Sequence, residues 1–114
     1  MFKHKSELID KTVSNARGGV GDIVRTEIFS EVETLGKVKL FAVLTIPPAS
    51  SIGEHPHDPE VEIYYILSGT LRVTNAGVTK DLGPGDSAFT GGGAIHGAVN
   101  ASDKDAQVLA IVIN

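Results

Sequence analysis

Apolar residues recur at every second position in short runs rich in Val, Ile, Thr, Phe and Tyr, and Gly, Pro, Asn or Asp separates each run from the next. A period of two is the signature of a half-buried β-strand, so the pattern predicts an all-β domain. The predicted strands are residues 23–29, 38–46, 52–57, 62–67, 70–74, 87–90, 95–99 and 108–113. Eight strands of this length suit a barrel or jelly roll. Asn75-Ala76-Gly77 supplies the positive φ for a reversal into a short segment at 78–81, and Pro84-Gly85-Asp86 reads as a tight turn. Helix signals are scarce: one helical turn is expected over 6–13, with Ser6 as cap and Glu7 in the first turn. The glycine-rich stretch 15–22, NARGGVGD, has no helix after it and no closing Lys-Ser/Thr, so it reads as a mobile loop rather than a phosphate cradle. Phe41, Val43, Phe89 and Ile111 are assigned to core or pocket wall, and Arg25 and Arg72 to the solvent side of their strands.

Composition narrows this picture. The chain has 114 residues, 41% hydrophobic and 21% charged, which is one ordinary domain: an arm and loop over 1–22 and a barrel over 23–114. A chain this long buries roughly 65% of its unfolded surface, so folding needs no metal clip or disulfide. No cysteine is present, which excludes thiolate chemistry of every kind. Ten basic and fourteen acidic residues give a net charge of −4 with no Lys/Arg block, and four Phe, two Tyr and no Trp provide no stacking platform. Nucleic acid is therefore excluded as a partner, and a small polar ligand is expected. The apolar runs at 38–48 and 108–113 are too short to span a bilayer, and MFKHKSELID has no signal-peptide core. The expectation is a soluble, unprocessed, cytoplasmic protein with no membrane partner.

Three of the four histidines lie in two compact glycine-bounded segments. In the first, His55 and His57 are two apart and project to one face of a strand. Pro59 is incompatible with a central ladder position, so the chain turns there and enters a second strand with its facing reset. Glu62, Tyr64 and Ile66 then share one face. In the second segment His96 follows the run Gly91-Gly92-Gly93, and small Ala98 on the same face leaves room beside it. Three imidazoles and a carboxylate form a mixed N/O set suited to one divalent first-row metal, with Mn, Fe, Zn and Ni all admissible. Around a six-coordinate ion such a set leaves two positions open, whereas with zinc it can close a tetrahedron.

These segments resemble the two motifs of the cupin superfamily of small double-stranded β-helix barrels. His55, His57, Glu62 and Gly69 fall in the first motif, with Ala49 in place of its opening Gly; Gly85, Gly93, His96 and Asn100 fall in the second, with Gly91 in place of its Pro. The match covers 49–100, and overall the chain is similar to small single-domain, RmlC-like cupins akin to one half of the two-domain oxalate decarboxylases. The resemblance implies a jelly-roll barrel, a metal held by His55, His57, Glu62 and His96, and a homodimer. Open edges place the dimer contact around 23–29.

Glu62 either ligates the metal or stands off it as a general base. Tyr64 either offers its phenol to a substrate or fills the barrel. Asn100 either orients His96 or closes a turn, Glu54, Asp58 and Glu60 read as a solvated loop, and His4 is solvated. The resulting expectation is a metal-dependent lyase, isomerase, decarboxylase or dioxygenase acting on a small polar or carboxylate-bearing molecule. The alternatives are a non-catalytic sensor or storage module and a metal-free epimerase type.

Overall fold

The computed structural model describes residues 1–114. Its strands are β1 (Asp10–Ser14), β2 (Asp22–Phe29), β3 (Val38–Ile46), β4 (Ser51–Pro56), β5 (Val61–Ser68), β6 (Leu71–Asn75), β7 (Val78–Leu82), β8 (Ser87–Thr90), β9 (Ile95–Val99) and β10 (Ala106–Ile113). They form a six-stranded sheet, β1-β2-β3-β10-β5-β8, and a four-stranded sheet, β4-β9-β6-β7. Every pairing is antiparallel. The two sheets close on each other as an all-β barrel of the jelly-roll class. β10 lies in the middle of the larger sheet, between β3 and β5.

The inner face carries Leu44, Ile46, Tyr64, Ile66, Val108 and Ala110 from the larger sheet and Ile52, Leu71, Val73 and Ala98 from the smaller. Ile46, Ile66, Leu71 and Val108 are fully buried and fill one end of the barrel. Each such side chain stabilises the fold by about 1.5–3 kcal/mol before entropy is subtracted. At the other end, where Leu40, Val112 and Glu62 lie side by side on neighbouring strands, the barrel opens into a cavity.

Several expectations need correction. Residues 6–13 form no helical turn of that length: a single 3-10 turn covers Lys5–Glu7, and Asp10–Ser14 is a strand paired with β2. β2 is therefore interior, and the open edge beside it is β1, not 23–29. Phe41, Val43 and Ile111 are not on the inner face, and Phe89 is 60% exposed. The inner positions between them are Ala42 and Ala110, both fully buried. Both faces of β3 and β10 are apolar, so alternation alone does not choose between them. The outward residues join Ile63, Tyr65, Leu67 and Leu109 in one apolar surface across the larger sheet.

The stretch 15–22 is not a free loop. Ser51 N–H donates to the Val20 carbonyl and Val20 N–H to Ser51 Oγ, each at 2.9 Å. Gly19 and Gly53 bring the two backbones so close that a β-carbon on either would strike the Ser51 or Arg17 carbonyl. Within the loop Asn15 and Arg17 both take left-handed conformations, with φ of 51° and 52°. Asn tolerates this, but for Arg it costs about 1–2 kcal/mol.

Candidate metal centre

One extra residue in β4 sets the site. On β9 Ala98 and His96 are two apart, yet their partners on β4 are Ile52 and His55, three apart. This bulge turns His55 onto the same face as Ile52, which strict alternation forbids. His57 follows two residues later, just past the strand end. Glu62 projects inward from β5, and His96 from β9 opposite His55. His57, Glu62 and His96 are buried to 2%, 5% and 1% exposure, and His55 is half-buried.

The three Nε2 atoms form a triangle with every side 3.1 Å. Glu62 Oε1 lies 2.9 Å from both His57 Nε2 and His96 Nε2. The outward-facing nitrogens determine what these atoms carry. His55 Nδ1 lies 2.7 Å from the Gly53 carbonyl, which only accepts, so Nδ1 holds the proton. His57 Nδ1 faces the Glu60 carboxylate at 3.2 Å, again an acceptor. Thr90 Oγ1 donates to Asn75 Oδ1 at 3.2 Å and so accepts from His96 Nδ1 at 3.0 Å. These partners assign all three imidazoles the same tautomer, with the Nε2 lone pair pointing inward. Three imidazole nitrogens and a carboxylate oxygen thus converge on one point, where a cation would be attracted to all four.

The donor set fits a divalent metal. Donors at right angles and about 2.1 Å from a common ion are about 3.0 Å apart, whereas tetrahedral donors at that range stand about 3.4 Å apart. The observed 2.9 and 3.1 Å separations match the octahedral case. His/carboxylate ligands of this kind suit first-row divalent ions such as Mn, Fe, Ni and Zn.

Around these donors sits a set of supporting groups, partly missed in the sequence. Glu60, read as solvated, orients His57 and pairs with Lys39 Nζ at 2.8 Å, whose hydrogen bond holds the Glu60 carboxyl below its usual range. Thr90 had no signal of its own, because it reaches His96 across the β8–β9 turn. Asn100 does not touch His96: its amide donates to the Ile46 and Lys104 carbonyls, and its Oδ1 accepts from Ser102. It is a turn clamp. Replacing Thr90 by Val should leave the fold intact and weaken metal binding about 10–100-fold, read by chelator competition.

Tyr64 is buried and stacks on His96 with ring centroids 5.0 Å apart. Burial, reinforced by the Glu62 charge, pushes its phenol well above the ordinary range, so it remains a proton donor. The cavity in front of it, about 450 Å³, is walled by Leu40, Leu44, Ile52 and Val112. Its mouth carries Arg17, Arg25, Lys39 and Glu27. Arg25 thus lines the cavity, contrary to its assignment to the solvent side.

Burial lowers the pKa of His55, with the nearby His96, Arg17 and His57 acting in the same direction and the Gly53 contact opposing. In the metal-free protein the folded state therefore takes up fewer protons than the unfolded chain, whose His titrates near about 6.5. This contribution to stability is fully present above that value and is lost as pH falls below it. Chelator-treated protein should lose Tm from about pH 7 to 5, and metal retention should fall steeply below about pH 6. A flat retention profile would exclude imidazole ligands.

The cupin-domain family model matches residues 42–112. An oxalate-binding protein of Thermotoga maritima is 36% identical over 113 residues, covering 99% of this chain and 93% of that protein. The crystal structure of a predicted oxalate decarboxylase from Thermotoga maritima superposes with a TM-score of 0.95 at 36% identity, covering 99% of this chain and 98% of the other. The polyketide cyclase RemF of Streptomyces resistomycificus shares the fold with a TM-score of 0.79 at 21% identity, over 99% and 80% of the two chains. No helix is long and apolar enough to cross a membrane.

Proposed function

The chain belongs to the cupin family, and from that premise we propose that it holds one divalent transition metal on His55, His57, Glu62 and His96 and with it binds a small carboxylate-bearing molecule. The observation that carries this reading is the convergence of four donor atoms beneath a cavity with a cationic mouth. When bound, the metal supplies Lewis-acid polarisation of a carboxylate oxygen at the positions the protein leaves open. The chain's own residues do the rest. Leu40, Leu44, Ile52 and Val112 exclude water from the ligand, and Tyr64 holds a proton on its phenol oxygen beside it. Glu62, with a donor oxygen between two imidazoles, serves as a ligand rather than a detached base.

Decarboxylase or lyase chemistry follows if the Tyr64 proton reaches a carbanionic product. Carboxylate binding without turnover is the second reading, favoured by the name of the Thermotoga relative. The test is elemental analysis of tag-free protein purified without chelator, followed by calorimetry and product assay with oxalate and related acids. Near-stoichiometric metal and metal-dependent carboxylate uptake are expected; no metal after reconstitution would overturn the reading. Product formation then separates enzyme from binder.

A second copy of this chain is proposed to cover the apolar outer surface of the larger sheet, where Phe41, Ile63, Leu109 and Ile111 lie on adjacent strands. Ile111→Lys should convert a dimer to a monomer in light scattering, while an unchanged mass would remove this surface from the interface.

A further inference from the structure

We propose that Arg17 is the specificity residue of this cavity, receiving the second carboxylate of a small dicarboxylate whose first carboxylate lies at the metal centre. The assignment rests on the metal and carboxylate reading above and names its substrate class. The cations of the chain are not equivalent. Lys39 is neutralised by Glu60, Lys3 by Glu33 and Arg72 by Asp81. Arg17 and Arg25 line the cavity and make no ion pair, so two guanidinium groups stand at its mouth against the single unpaired carboxylate of Glu27. A planar guanidinium suits a carboxylate because two parallel N–H groups meet its two oxygens.

The Arg17 backbone is also held in place. It occupies a left-handed conformation that disfavours it, although its neighbour Gly18, with φ of 80°, shows that glycine serves this loop elsewhere. Strained non-glycine residues persist where the surroundings over-determine them, and they gather at ligand sites. Here the surroundings are the Gly19–Gly53 approach and the Val20–Ser51 hydrogen bonds, which clamp the loop to the strand that carries His55. The Arg17 backbone and the strand carrying His55 are thus tied together, with the exposed guanidinium free to meet a ligand at the mouth.

The test is calorimetric titration of manganese-reconstituted protein with malonate, succinate and acetate, for wild type, Arg17→Gln, Arg17→Gly and Arg17→Lys, with metal content measured for each. Both Arg17→Gln and Arg17→Gly should bind the dicarboxylates at least tenfold more weakly and acetate less than threefold more weakly, at unchanged metal content. Arg17→Lys should recover part of the loss. Equal losses for all three acids, no loss, or loss of metal from the variants would overturn the assignment while leaving the metal and carboxylate reading in place. If metal-loaded wild type takes up none of the acids, that reading falls and the Arg17 assignment falls with it.

Discussion

Replacing His96 by alanine is expected to strip the protein of metal: elemental analysis of chelator-free preparations should fall from about one ion per chain to below about a tenth. The size follows from sharing about 10–16 kcal/mol of metal binding among four ligands, which gives about 2.5–4 kcal/mol for one, or a hundred- to thousandfold in affinity. His96 is the imidazole with the least slack. It is 1% exposed, tied to Thr90 behind, stacked on Tyr64 beside, and 2.9 Å from Glu62 in front. The rise in Tm that metal gives the wild type should vanish in the variant, because ligand-linked stabilisation scales with the logarithm of affinity. A variant that retains wild-type metal would show that His96 is structural.

The second large effect is expected at a residue that offers no atom to the metal. Gly53→Ala places a methyl against the Arg17 carbonyl and within 2.9 Å of Gly19 N, where both opposing groups are backbone and neither can rotate away. Overpacking of this kind destabilises by about 1–3 kcal/mol, which for a domain of this size lowers Tm by roughly 4–12 °C. The loop 15–22 would separate from β4, so the amides of Gly19 and Ser51 should exchange faster with deuterium. Metal affinity should fall as well, since the Gly53 carbonyl fixes the His55 tautomer. An unchanged Tm would mean that the close approach relaxes at no cost.

That His55, His57, Glu62 and His96 come together was legible in the sequence, because it needs only residue type and local spacing. The eight alternating strands were legible for the same reason, and the segment at 78–81 proved to be a strand as well. β1 was not, since it is an edge strand in which only Val13 reaches the interior and DKTVS carries no alternation. The facing of β3 was misread because Phe41 and Val43 outweigh Ala42 in hydrophobicity, while the fold buries the small side chain. Ile52 and His55 share a face through a bulge, and a bulge leaves no mark on composition. Arg17, Glu60 and Thr90 lie beside the site on loops or strand ends, where no periodicity points.

The central place of β10 bears on how the chain is made. A ribosome delivers residues from the N-terminus at about 5–20 per second, yet the strand between β3 and β5 is the last one to emerge. Until residues 106–113 are out of the exit tunnel, β3 and β5 have no partner between them, and their apolar faces stand open to other nascent chains. Closure of the larger sheet is therefore a late, all-or-none step built on sequence-distant pairings, of the kind that takes milliseconds to seconds. During that interval protection of the unfinished barrel falls to chaperones.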